Sequence, residues 1–154
     1  MHETDATAVH PDFGGHCQRA RGRLRDDLEW YASATWTQGD ETVGGLETPA
    51  DRIPPIFGAA GLIWDAATSV TFDAYLEYAG SQDRYSPRDE VDPRIEPGGT
   101  PGWVTWNVRG AWRATDALSL SLRLANLGDR RYREFGSGLD APGFDCLVTL
   151  DYEL

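Results

Sequence analysis

The chain has 154 residues, 25% charged and 40% hydrophobic, with a formal net charge of −11. This is enough for one domain with a core, and the composition is near the globular average. The negative charge excludes nucleic acid as a partner, since phosphates would repel it, and no apolar run approaches the ~18 residues of a membrane-spanning helix.

Residues 1–23, "MHETDATAVHPDFGGHCQRARGR", read as an irregular or disordered N-terminal segment. They contain no apolar run and small-residue cleavage site of the kind that makes a signal peptide. His2, His10 and the His16-Cys17 pair match no zinc-ligand spacing, so no metal or cofactor is expected. Spacing alone leaves open whether Cys17 and Cys146 pair, because a disulfide depends on Cα separation in space.

Beyond residue 23 the pattern changes to period two, punctuated by glycine and proline. Six segments alternate in this way: 26–37, 55–65, 69–80, 102–113, 118–127 and 143–154. Each is close to the ~9–11 residues that a tilted strand needs to cross a bilayer, and longer than the ~5–6 of an ordinary strand. Their connections alternate too. Those at 66–68 and 114–117 are short, whereas 38–54, 81–101 and 128–142 are long and rich in Gly, Pro and charge. Tight turns at one rim and extended loops at the other are the habit of a transmembrane barrel.

The side chains sort in the same sense. On the apolar face, Trp30, Trp64, Phe72, Trp112 and Tyr152 fall near the short-turn rim, and Trp36, Tyr78, Trp106 and Phe144 near the other. Ala32, Ala34, Ala60, Ala74, Val108 and Val148 lie between them. Two aromatic girdles around an aliphatic band mark the two interfaces of a bilayer. Of the six tryptophans only Trp103 is off this face. The opposite face offers Glu29, Ser33, Thr35, Thr71, Asp73, Glu77, Thr105, Asn107, Arg109, Arg113, Ser119, Ser121 and Arg123, as a wet lumen requires, with Phe57, Ala59 and Ile63 as apolar exceptions. The last stretch, "GFDCLVTLDYEL", repeats the division, with Phe144, Cys146, Val148, Leu150 and Tyr152 on one side and Asp145, Thr149 and Asp151 on the other.

The expected fold is therefore all-β: an antiparallel up-and-down meander of about six long strands, residues 24–154, forming a segment of a larger transmembrane barrel. Two alternatives stand beside it. A small self-contained outer-membrane barrel would need at least about eight strands, and a soluble β-sandwich binding protein would cover the apolar face with a second sheet. No enzyme is expected. All three histidines fall within the first sixteen residues, away from any strand, and no nucleophile–base set is suggested. The carboxylates Asp83, Asp89, Glu90, Asp92 and Glu96 do not have the spacing of a calcium loop and read as a solvated loop. "GGTPG" at 98–102 lacks the Lys-Ser/Thr and helix of a phosphate loop and reads as a turn.

The last long connection carries a motif. "NLGDRRYREFGSGLDAPGF", residues 126–144, resembles the final extracellular loop of TonB-dependent outer-membrane receptors. Those show Asn-Leu-x-Asp-(Arg/Lys)-x-Tyr and then His-Gly-Ser-Gly-x-Asp-x-Pro-Gly-Arg. Asn126, Leu127, Asp129, Arg130 and Tyr132 match the first part, and Gly136, Ser137, Gly138, Asp140, Pro142 and Gly143 the second. "DRIPPIFGAAGLIW" (51–64) and "DPRIEPGGTPGWVTWNVRGAW" (92–112) are also similar to the family. Two positions depart: Phe144-Asp145 stands where the family has Arg, and Leu154 where it usually ends in Phe.

The resemblance implies the C-terminal part of a barrel of about 22 strands closed by an N-terminal plug. It implies uptake of iron–siderophore, haem or cobalamin-type ligands, without singling out one. The partners implied are outer-membrane lipid, the plug and remaining barrel strands, the TonB complex acting through that remaining part, and the barrel-assembly machinery, which would read Tyr152 and Leu154. By itself the chain is not expected to transport. Its expected place is the cell outer membrane, when joined to an exported N-terminal part.

Overall fold

Asp26-Asp27, Thr68-Ser69 and the stretch 114–117 each reverse the chain within a few residues, and the segments beside them zip into antiparallel pairs. The structure is a computed structural model that describes residues 10–43 and 45–153. Its strands are β1 (His10–Arg25), β2 (Leu28–Val43), β3 (Leu46–Pro49), β4 (Phe57–Ala67), β5 (Val70–Ala79), β6 (Trp103–Arg113), β7 (Leu118–Ala125) and β8 (Asp145–Tyr152). They form one sheet in the order β1-β2-β4-β5-β6-β7-β8, with the short β3 pairing only with the outer end of β2. Every pairing is antiparallel and between sequence neighbours apart from that excursion, so the sheet is a meander. No helix among the described residues is long and apolar enough to cross a membrane.

Long and short connections alternate throughout: 26–27 short, 44–56 long with β3 inside it, 68–69 short, 80–102 long, 114–117 short, 126–144 long. One correction concerns the N-terminus. Residues 10–23, expected to be irregular, belong to β1, which pairs along its whole length with β2; residue 24 is inside a strand and marks no boundary. Residues 1–9 lie outside the described residues. Alternation did not betray β1 because its face beside the tryptophans of β2 is made of Gly14, His16, Gln18, Ala20 and Gly22. Small residues are needed there. A Cβ at Gly22 would come within 2.6 Å of the Trp30 indole nitrogen. The strand is held instead by its ladder and by Arg21 and Arg23, which pair with Glu29 at 2.7 and 3.2 Å.

Register sets the two faces. Trp30 lies opposite Leu62, Leu62 opposite Ala74, Ala74 opposite Val108, Val108 opposite Leu124 and Leu124 opposite Cys146. Even residues thus share one face from β1 to β8 and odd residues the other. Among the described residues the bulges are at Arg23/Arg25 and Asp65/Ala67, beside the short turns. Among the described residues no second layer covers the even face. Trp106 is 60% exposed, Trp112 50% and Leu150 65%, which is incompatible with the core of a sandwich. β1 and β8 are the two edges of the sheet. They carry Cys17 and Cys146, both exposed and free.

The β1–β2 register is directly checkable. Cys17 faces Thr35, whose hydroxyl donates to the sulfur at 3.7 Å. A Thr35→Cys variant is expected to form a disulfide with Cys17 under mild oxidation, seen as a mobility shift reversed by reductant. Ala34→Cys, pointing to the other face, is expected to form none. An unlinked Cys17 in Thr35→Cys would contradict the pairing.

Candidate functional site

The odd face carries polar contacts across the strands, of which Tyr31, Asp73, Arg109 and Tyr75 form one connected group. The Tyr31 hydroxyl donates to Asp73 at 3.1 Å, and Arg109 donates to the Tyr75 hydroxyl at 2.9 Å while its guanidinium lies 4.5 Å over the Tyr75 ring. Gly61, between the two tyrosines, makes this possible, since a Cβ there would be 2.7 Å from atoms of both. Asn107 donates to Glu77 at 3.4 Å, and Arg123 pairs with Asp145 at 3.1 Å. A hollow of about 450 Å³ lies over Glu29, Tyr31, Asp73, Tyr75 and Arg109. Among the described residues the even face carries no comparable network. Its hydrogen bond from the Trp64 indole to Asp27, at 3.0 Å, reaches out to the short turn.

Most of the buried side chains gather at the long-loop rim. Ala50 and Ile53 of the first long loop and Gln82, Ser86, Asp89, Ile95 and Thr100 of the second are all buried. Gln82 donates its side-chain amide to the Ile53 carbonyl at 2.7 Å, and the Arg52 amide donates to Asp89 at 3.0 Å. The Arg52 guanidinium also pairs with Asp89 and Asp92. Arg88 pairs with Asp51 at 2.7 Å, and the Ser86 hydroxyl, then Arg88, holds the Asp51 carboxyl below the usual carboxylate range. Arg133 joins the second loop to the third by pairing with Glu96 at 3.2 Å and with Asp140 at 2.7 Å.

The third loop is tied to the sheet through Asn126, which is 4% exposed. Its backbone N–H donates to the Asn107 side chain of β6 at 2.9 Å, and its own amide donates to the carbonyls of Arg130 and Pro142 at 2.9 and 3.2 Å. Asp129 accepts from the Phe144 N–H at 2.9 Å and so latches the end of the loop to its start. A Cβ at Gly143 would run into that carboxylate. Gly136 and Gly138 take φ of 72° and 74°, where side chains are strained. Arg130 donates to the Gly102 carbonyl at 3.0 Å, and the Ser137 hydroxyl to that of Leu139 at 2.8 Å. Tyr132 lays its ring 4.2 Å from Trp103, and burial pushes its phenol pKa up.

This arrangement, a one-layer meander with a loop core at one rim, has counterparts among solved structures. The copper transporter OprC matches with a TM-score of 0.78 at 18% identity, over 92% of this chain and 23% of that one. The siderophore receptor PiuA from Acinetobacter baumannii matches at 0.64 and 15%, over 92% and 22%. A variant of the ferric enterobactin receptor PfeA from Pseudomonas aeruginosa matches at 0.64 and 19%, over 87% and 21%. The sheet has the antiparallel meander fold of barrel segments of TonB-dependent receptors. The chain spans only 21–23% of the length of these three receptor chains. No family model and no curated protein matches it in sequence.

The residues expected to carry the receptor motif lie in the third long loop, where Asn126, Asp129, Gly136, Gly138 and Gly143 shape the backbone. Leu127 is exposed, its N–H bonded to the Trp106 carbonyl at 2.9 Å. The acidic stretch differs from expectation. Asp83 and Glu90 are exposed, but Asp89 is 2% exposed and, with Asp92, is held by Arg52, while Glu96 is held by Arg133. Arg52, Arg88 and Arg133 answer carboxylates of neighbouring loops, Arg84 answers Asp40 of β2 and Arg94 answers Asp92 within its own loop, and only the density of arginines in the long connections hinted at this. No cluster among the described residues is suited to hold a metal ion. His16 stacks on Trp36, at 6.1 Å, and His2 lies outside the described residues. Of the two assembly-signal residues, Tyr152 pairs with Leu118 and is exposed, while Leu154 lies outside the described residues.

The loop latch yields a prediction. Asp129→Ala removes a hydrogen bond to a charged acceptor, worth about 1.5–3 kcal/mol. Hydrogen exchange at the Phe144 amide is expected to accelerate at least about tenfold, and Gly143→Ala to act in the same direction. Leu139→Ala, at a 77% exposed position, is expected to change nothing. Unchanged exchange at Phe144 in both loop variants would contradict the latch.

Proposed function

We propose that the chain forms part of the wall of an outer-membrane receptor barrel that admits a small metal-carrying ligand. The even face meets lipid, the odd face lines the lumen, and the three long loops project outside the cell. The observation that carries this is the uncovered even face, with its exposed tryptophans, phenylalanine and leucines in a sheet one layer thick. In water so large an apolar surface promotes aggregation, whereas in a bilayer it is the surface that a barrel wall presents.

The girdles fit the same reading. Trp30, Trp64, Phe72, Trp112 and Tyr152 would mark the inner interface, and Trp36, Tyr78, Trp106 and Phe144 the outer. Trp64 keeps its ring on the even face and its N–H on Asp27 of the turn, as an interfacial tryptophan does. The cargo class is suggested by the similar structures, described as a copper transporter and siderophore receptors. The motif loop serves to order the outer rim.

The edges limit what the chain does by itself. Unpaired backbone groups on β1 and β8 would each cost several kcal/mol in hydrocarbon, so further strands must close the wall. A plug, the TonB complex and the barrel-assembly machinery are the partners this reading requires, the first two acting through parts of the receptor beyond these strands.

The two native thiols test the faces. In outer membranes carrying these strands within a closed barrel, a water-soluble maleimide is expected to label Cys17 and spare Cys146. A lipid-soluble maleimide is expected to label Cys146. The reverse pattern would overturn the reading.

A further inference from the structure

A hollow of about 550 Å³ opens on the odd face just inside the long-loop rim, within the ~300–1,000 Å³ of small-molecule sites. Its wall is the middle of β1 and β2 and the loop-side ends of β4, β5 and β6, including Cys17, Arg19, Thr35, Phe57, Glu77 and Trp103. The third long loop lays Tyr132, Glu134 and Phe135 across it. The rings are fixed in advance of any ligand. Tyr132 rests 4.2 Å from Trp103, and Phe135 is stacked on Tyr85 at 6.4 Å with the planes 2° apart. Preset rings cost a flat ligand little ordering on binding.

Among the described residues the charges around these rings are unspent. Most other acids near this rim have an arginine: Asp40 has Arg84, Asp89 has Arg52, and Asp140 has Arg133. Glu77 receives only the Asn107 amide, and Glu134 and Arg19 have no ion pair among the described residues. Two carboxylates against one guanidinium leave the hollow net negative. Both reach the same ring: after burial, Glu134 and then Glu77 push the Tyr132 phenol up, so it remains a neutral hydrogen-bond donor.

We infer that this hollow seats a flat aromatic ligand bearing positive charge, and disfavours polyanions. The aromatic faces of Trp103, Tyr132 and Phe135 attract a cation through their quadrupoles, Glu77 and Glu134 add Coulomb attraction, and an anion meets both carboxylates. The inference rests on the odd face being the lumen, and its test separates the two.

Cys17 lines the hollow while Cys146 is on the other face, so the rate of maleimide labelling reports occupancy. The membrane-embedded barrel is labelled with water-soluble maleimide in the presence of N-methylquinolinium or, in parallel, naphthalene sulfonate, which are of similar size and opposite charge. The cation is expected to slow labelling of Cys17 several-fold and the sulfonate to leave it unchanged. In a Glu77→Gln, Glu134→Gln double variant the protection by the cation is expected to vanish, with the unprotected rate preserved to show that the hollow still forms. Equal protection by both probes, or protection that survives in the double variant, would overturn the inference. A silent Cys17 beside a reactive Cys146 would overturn the face assignment itself. Silence of both would mean that protein fills the hollow, and the ligand inference alone would fall.

Discussion

Parity is the constraint on which everything else rests. Seven strands pair in succession without one slip that would exchange the faces, and a slip of a single residue would carry every tryptophan of a strand to the wrong side. The two bulges sit next to the short turns, where they alter the approach to a hairpin without propagating along the strand. Because parity holds from His16 to Tyr152, an apolar surface and a polar one are separated by a single thickness of backbone. Nothing about either surface could be local: Gly22 is small because Trp30 lies over it, and Gly61 because two tyrosines converge on it.

The sheet leaves little room for a conventional core, and the molecule places its burial elsewhere. The long loops do what a second layer would do in a sandwich: they bury Ile53, Ile95, Ser86 and Asn126 and satisfy one another's backbone groups. Their arginine–carboxylate pairs are individually weak where exposed, but Asp89, nearly fully buried, must keep Arg52, since a buried charge without its partner is costly. A rim ordered in this way can hold side chains such as Tyr132 and Phe135 in fixed positions over the odd face of the sheet.

Much of this was legible in the sequence, and the exceptions have physical reasons. The strands from β4 onward lie within two residues of the segments read from alternation, because each must present an apolar face to one side and a polar one to the other. β1 has the same backbone role with none of the same side chains. Glycine, alanine and glutamine on its even face make room for the aromatic residues of β2, and its odd face carries arginines, so period two is invisible in its hydrophobicity. The motif residues of the third loop were recognisable individually, but their purpose emerges only in three dimensions, where Asp129 reaches Phe144 and Asn126 reaches Asn107. The ion pairs that join one loop to another link residues some 40 positions apart, as Arg52 does with Asp92, and no local pattern announces them.

The orientation of the tryptophans decides the matter most directly. Five of the six lie on the even face, so the barrel reconstituted in bilayers of brominated lipid should lose most of its tryptophan emission, while iodide in the water should quench little. Strong quenching by iodide with emission indifferent to the brominated lipid would place that face in water and contradict the membrane wall.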